Sequence, residues 1–358
     1  MKPALARRAA GAGSAMLVLL AALPVRGQEI TGRVTMEAVA SASVTSDTAD
    51  DPFLIFDAVG TIRVGGGWDV VVRPWARRMP GGAWGAEMYQ LQLRYISSTR
   101  IPFRVDAGII SSPMGLAALE LRPDRNPTIG APFYYFVPLP AVDGYFDRVT
   151  LMSGGYPLGA IVSASGPRWD VRGGVTDDTP VRARNMLSGT RSAAKPQFVA
   201  GGGLTPVPGL RLGAALARGG YRSRTVTPRG TVYPAATATI FNIEGEYAIG
   251  YTRIAGEWIV DRFETTVAPA AARGFNLEAV RTLAPRWFAA GRAVRASSPV
   301  LVGASRGRRS ATSAEATLGY RLTPEFTLRG GYQGSTAFSR PAWDHAVAVS
   351  FVWAQRWW

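Results

Sequence analysis

Met88-Tyr89-Gln90-Leu91-Gln92-Leu93-Arg94-Tyr95 is the stretch that decides the fold. Tyr89, Leu91, Leu93 and Tyr95 fall on one face of an extended chain, and Gln90, Gln92 and Arg94 on the other. A period of two with one apolar and one polar face is the signature of a β-strand between a greasy and a wet medium. The same alternation recurs on both sides of it. Phe103, Val105, Ala107 and Ile109 oppose Arg104 and Asp106; Phe241, Ile243 and Tyr247 oppose Asn242, Glu244 and Glu246; Phe326, Leu328 and Tyr332 oppose Thr327, Arg329 and Gln333.

Extended over the chain, the pattern predicts sixteen strands, at 30–45, 53–64, 67–77, 86–96, 101–110, 148–164, 168–176, 197–205, 209–220, 237–248, 250–262, 272–283, 285–296, 312–322, 325–333 and 345–358. Short connections such as Gly65-Gly66, Gly166-Pro167, Ala284 and Thr323-Pro324 alternate with long ones, at 46–52, 78–85, 111–147, 177–196, 221–236, 263–271, 297–311 and 334–344. Leu204-Thr205-Pro206, Leu283-Ala284-Pro285 and Leu322-Thr323-Pro324 repeat one event, a strand ending in a tight return where proline presets φ. Short turns on one rim and long loops on the other predict an all-β fold, a transmembrane antiparallel β-barrel of about 16 strands with a long third loop. In lipid such a sheet has to close, because an open edge leaves backbone groups unpaired. The charged face then lines a wet lumen, and sixteen strands enclose an aqueous channel. Trp68, Tyr95, Trp169, Tyr247, Tyr251, Trp287, Tyr320, Trp353, Trp357 and Trp358 gather at the predicted strand ends, where interfacial girdles belong. The same periodicity is open to the core of a soluble β-sandwich.

The composition narrows the function. There is no cysteine, and His345 is the single histidine of 358 residues, so thiolate chemistry and multi-histidine metal sites are excluded. The reading implies no cofactor. The net charge is +15, but the arginines form no helical stripe and no nucleic-acid motif accompanies them, so nucleic acid is not an expected partner. Residues 1–27 read as a cleaved signal peptide: Lys2, Arg7 and Arg8 make a positive start, Ala15 to Leu23 an apolar core, and Val25-Arg26-Gly27 a cleavage site. The barrel domain is then 28–358, in the cell outer membrane.

In architecture the mature chain resembles Gram-negative outer-membrane porins. The segment from Phe103-Arg104-Val105-Asp106 through Ser112-Pro113-Met114-Gly115-Leu116 is similar to the strand-then-P-x-G-L segment of the phosphate-selective porin O and P family. That resemblance implies a passive, trimeric channel for anions with basic residues along the path. It also implies a third loop folded inward, with Glu120, Arg122, Asp124 and Arg125 at the constriction. The aromatic last strand, with Val347, Val349, Phe351, Trp353 and Trp357 in phase and Trp358 out of phase, looks like a recognition signal for the barrel insertion machinery.

Alternation assigns to the pore wall Arg63, Arg73, Arg94, Arg104, Arg172, Arg211, Arg253 and Arg329, with Asp57, Asp106, Asp170, Glu244 and Glu257 among the acids. Near-balanced charge in opposed rows would give a transverse field without choosing the ion's sign. The basic excess lies in predicted loops. Arg222, Arg224 and Arg229 sit in one, Arg306, Arg308 and Arg309 in another, and Arg182, Arg184, Arg191 and Lys195 in a third. They form either a basic mouth that gathers anions or a contact with outer-membrane lipid phosphates. The expected function is passive diffusion of small hydrophilic solutes or inorganic anions, without enzymatic activity, by a homotrimer. A non-conducting structural or adhesion barrel, or a barrel enzyme built on Asp344 and His345, shares the same periodicity.

Overall fold

The computed structural model describes residues 34–97, 99, 101–115, 122–140, 149–152, 157–177, 196–222, 224–226, 230, 232–265, 269–302 and 305–357. Sixteen strands close into one antiparallel barrel, each hydrogen-bonded to its neighbours in sequence, and the first pairs with the last. They are β1 (Val34–Thr45), β2 (Phe53–Gly65), β3 (Trp68–Arg78), β4 (Trp84–Ile96), β5 (Phe103–Ile109), β6 (Leu158–Gly166), β7 (Trp169–Thr176), β8 (Gln197–Val207), β9 (Leu210–Arg222), β12 (Ala236–Ile249), β13 (Thr252–Phe263), β14 (Ala270–Thr282), β15 (Trp287–Val302), β16 (Ser305–Arg321), β17 (Phe326–Ala337) and β18 (Arg340–Trp357). A small hairpin, β10 (Thr225–Val226) with β11 (Val232–Tyr233), stands apart in the connection after β9. Residues 1–27, expected to be a signal peptide, and Trp358 lie outside the described residues, as do Arg182, Arg184, Arg191, Lys195, Arg229 and Glu120.

Closure pairs β1 with β18 in one unbroken register. Met36 faces Trp357 and Thr45 faces Ala348 with no shift between, so both described ends of the barrel sheet lie on the short-turn rim. Val347, Val349, Phe351 and Trp357 point outward and are exposed, while Ala348, Ser350 and Val352 are buried. Arg356 turns inward to Glu37. At the short-turn rim the outward aromatics form a girdle: Trp68 packs on Tyr95 at 4.9 Å, Trp287 on Tyr320 at 4.6 Å and Trp353 on Trp357 at 6.2 Å. Rings whose edges hydrogen-bond water and whose faces prefer lipid settle at that level.

Six expectations change. The predicted loop 334–344 is largely strand, with β17 reaching Ala337 and β18 starting at Arg340, and Arg222 closes β9 rather than lying in a loop. Tyr89 does not share the face of Leu91, Leu93 and Tyr95. The register shifts between Arg73–Gln90 and Pro74–Met88, and the bulge turns the Tyr89 ring against Trp75 at 4.6 Å and Arg73 at 5.4 Å. The sixth strand begins at Leu158 rather than 148, because Val149, Leu151 and Met152 are buried in a packed cluster instead of a ladder. The predicted loop 297–311 is largely strand: β15 and β16 extend as a hairpin that pairs Pro299 with Arg308. Arg308 and Arg309 are therefore wall positions, not loop positions. Finally, the inward face is not polar throughout. On β8 to β15 it carries Val199, Ala215, Ala217, Ala238, Ile240, Ile259, Ala272, Val294 and Ala296, all buried.

Candidate functional site

That apolar inner patch is covered by the third loop, residues 110–157. Met114, Tyr134, Tyr135, Leu139, Val149, Leu151 and Met152 pack against it from inside the barrel. Leu151 and Met152 are wholly buried, and each such side chain contributes about 1.5–3 kcal/mol to holding the loop. Small inward residues leave the room. A Cβ at Gly274 would overlap the Leu151 side chain, and one at Gly115 would overlap the Tyr135 hydroxyl. Gly115 also has φ of +88°, a backbone state that other residues adopt at a cost. Gly115 thus sits where only a residue without a side chain clears the docked Tyr135.

Polar clasps complete the docking. The Tyr134 and Tyr135 hydroxyls both donate to Glu257 Oε1, the latter at 3.0 Å, and Asn242 Nδ2 donates to Glu257 Oε2 at 3.3 Å. Burial, reinforced by the Glu257 carboxylate, holds the Tyr134 hydroxyl well above the usual tyrosine range, so it remains a donor at neutral pH. Further along the loop, Arg122 Nη1 donates to Glu37 Oε2 at 2.8 Å and Arg122 Nε to Asp124 Oδ1 at 2.8 Å. Ile129 and Gly130 donate backbone N–H groups to Glu315. Arg292 donates to Asn126 Oδ1 at 2.7 Å and to Gly130 O at 2.6 Å, and it is paired with the buried Glu278. Arg329 Nη1 donates to Asn126 O at 2.5 Å and Thr128 O at 2.8 Å, and Nη2 to Ser350 Oγ at 3.1 Å. The loop therefore starts at β5, crosses to the β15–β18 and β1 wall, and returns along β8–β15.

Of the loop residues expected at a constriction, Arg122 is buried and spent on anchoring. Asp124 is its partner, and Arg125 is the open one, with its side chain 55% exposed and 3.9 Å from Glu37. Every predicted wall arginine other than Arg329 pairs laterally with an acid on its own or a nearby strand. Arg63 meets Asp69 at 3.3 Å, Arg73 meets Asp57 at 2.6 Å, and Arg94 and Arg104 share Asp106 at 2.8 and 2.7 Å. Arg211 bridges Asp170 at 2.9 Å and Glu244 at 2.7 Å, with Arg172 3.4 Å from Glu244. Arg253 meets Glu246 at 3.0 Å and Glu278 at 3.5 Å. Opposed rows are replaced by neighbouring pairs, whose fields largely cancel at a distance.

Two spaces border the loop. One, of about 540 Å³, lies below residues 123–127 toward the short-turn rim and is lined by Asp124, Arg125, Arg253, Arg321, Glu325 and Arg329 among others. The other, of about 120 Å³, lies between Ser111–Gly115 and the wall at Arg104, Asp106 and Arg172. His345 is elsewhere: its Nδ1 meets the Tyr332 hydroxyl at 2.5 Å in an exposed ring stack, and Asp344 pairs with Arg340 at 3.0 Å.

Arg292, Glu278, Arg356 and Asn126 were not among the residues singled out by alternation. Arg292 is in phase with Phe288, Ala290, Val294 and Ala296, a row that reads as apolar, and only its charge within that row signals a buried partner.

No protein-family model matches the chain, and no curated protein matches its sequence. Solved structures do. The chain is similar to OmpF of Salmonella typhi, solved as a complex with daunomycin, with a TM-score of 0.59 at 11% identity over 90% of this chain and 97% of that one. It is similar to a loop L8 deletion mutant of OmpT, an outer membrane protein of Vibrio cholerae, with a TM-score of 0.58 at 10% identity over 91% and 99%. The outer membrane channel DcaP of Acinetobacter baumannii gives a TM-score of 0.55 at 9% identity over 90% and 97%. At such identities the likeness is one of fold: a closed sixteen-stranded antiparallel barrel shared with Gram-negative outer-membrane proteins that include porins.

Proposed function

We propose that the protein is an outer-membrane porin, a water-filled channel through which small hydrophilic solutes diffuse passively, with a preference for inorganic anions. One observation carries this reading. The third loop crosses the lumen and is fastened at both the Glu257 and the Arg329 clasps, so it narrows the barrel while leaving polar space beside it. The proposed path passes the loop on the β1–β7 side, with Arg94 and Arg104 partly exposed, because the β8–β15 side is packed, and reaches the larger space below the loop, whose walls are β12–β18. The proposed constriction combines Arg125 with Asp124 and the anchoring Arg122, and Glu120 belongs to the same segment.

Anion preference is supported by the lining of the larger space, in which Arg125, Arg253, Arg321 and Arg329 outnumber Asp124 and Glu325. The likeness of the P-x-G-L segment to the phosphate-selective porins points the same way. Passage needs no covalent chemistry, and the separate engagement of His345 with Tyr332 and of Asp344 with Arg340 favours a channel over a barrel enzyme. A homotrimer, surrounding outer-membrane lipid and the barrel insertion machinery complete the proposed partners.

Liposome swelling tests the reading. Vesicles holding the refolded mature chain swell in isotonic pentose or hexose at rates that fall with sugar size. Swelling no faster than protein-free vesicles would reject the channel and favour the plugged structural barrel that the packed inner half also suits.

A further inference from the structure

The outward face of β13 to β16 departs from the rest of the belt near the long-loop rim. Three adjoining rows carry Arg262 with Arg308, then Arg273, then Arg295, on strands that pair directly. All four arginines are exposed, and among the described residues none forms an ion pair with a carboxylate. Arg308 leans across the sheet, donating to Ser297 Oγ at 2.8 Å and to Ala271 O at 2.9 Å, so its charge is drawn toward Arg273. Arg273, Arg295 and Arg308, together with Trp258 and Phe275, line an outer crevice of about 510 Å³.

Depth explains the grouping. At about 3.4 Å per residue and ~45° tilt, Arg295, eight residues past the girdle tryptophan Trp287, stands ~19 Å above it. Arg308, twelve residues from the girdle tyrosine Tyr320, stands ~29 Å above that ring by the same measure. The apolar band of such barrels is about 25 Å tall, so Arg308 lies at the opposite interface, where lipid phosphates begin, and Arg295 lies ~6 Å short of it, a gap that a long arginine side chain spans. An unpaired guanidinium facing hydrocarbon is costly, and one facing a phosphate forms a two-pronged charged hydrogen bond.

We propose that this crevice binds a phosphate-bearing lipid of the surrounding leaflet. Arg273, Arg295 and Arg308 would hold the headgroup phosphate, and acyl chains would run down over Trp258 and Phe275. Charge complementarity selects this occupant: three unpaired cations sit over an aromatic floor that is already at lipid depth.

Native mass spectrometry of the folded protein in detergent, titrated with diphosphoryl lipid A and separately with phosphatidylcholine, tests the site. The expected result is selective retention of the phosphomonoester lipid. Its affinity should fall at least about tenfold when Arg273, Arg295 and Arg308 are all replaced by serine. Arg281→Ser, an outward arginine at the other rim, should leave it unchanged. If the triple variant fails to fold, as judged by heat-modifiable migration, the Arg273→Gln/Arg295→Gln pair is measured instead, with the same loss expected. Unaltered lipid binding by the variant that folds would overturn the proposal. So would displacement of the lipid by millimolar inorganic phosphate, which marks a small-anion site, or a change of oligomer mass with lipid binding intact, which marks a subunit interface.

Discussion

Arg329→Ala removes the clasp that holds the tip of the third loop. Arg329 is 3% exposed, and its guanidinium bonds three loop carbonyls, Asn126 O and Thr128 O closely and Pro123 O at 3.3 Å, plus Ser350 Oγ on the next strand. A hydrogen bond to a charged group is worth roughly 1.5–3 kcal/mol, so losing the two short loop bonds alone weakens docking of residues 123–130 by about 3–6 kcal/mol. At 1.4 kcal/mol per decade, a loss of ~4 kcal/mol raises the detached population by nearly three orders of magnitude. The barrel itself should survive, because the Arg122–Glu37, Glu315–Gly130 and Glu257–Tyr135 contacts lie outside the deletion. Single-channel recordings should then show frequent excursions to a higher conductance at unchanged heat modifiability. Trypsin should cut after Arg122 or Arg125 in the variant and spare the parent. Arg329→Lys should be intermediate, since an ammonium reaches fewer carbonyls at once. Quiet traces of unchanged conductance together with trypsin resistance would refute the assignment of Arg329 as a clasp.

Two other outcomes follow from the same contacts. Arg125→Glu should shift the reversal potential toward cations, because Arg125 is the exposed charge of the proposed constriction and lines the larger space; an unmoved potential would remove it from the path. Gly274→Val should lower thermal stability by roughly 1–3 kcal/mol of overpacking against Leu151, whereas Gly330→Val, at a position with nothing near its Cβ, should be tolerated; equal melting of the two would contradict the packed inner face.

Strand number, turn sides and closure were legible because a period of two survives in every strand, and because the two ends meet in matched register from Met36–Trp357 to Thr45–Ala348. The interior was less legible. Alternation tells two faces apart but not what lies against each. Ile240, Ile259 and Val294 read as part of a mixed row until the loop residues Leu151 and Met152 are brought onto them from 88 or more positions away in the chain. The same limit hid Arg292, whose partners Asn126 and Glu278 sit on a loop and on a neighbouring strand. Tyr89 escaped because one extra residue reverses every following face and leaves no mark in composition. The arginine-rich stretch through Arg308 and Arg309 looked like a loop because polar residues outside the hydrocarbon depth need not alternate, although they still pair as strands.

The central claim is that polar space beside the third loop conducts. A planar bilayer holding refolded residues 28–358 under a salt gradient tests it most directly. Discrete open steps with a reversal potential favouring anions are the predicted result. Stable insertion as heat-modifiable β-structure without any conductance step would contradict it and leave a barrel plugged by its own third loop.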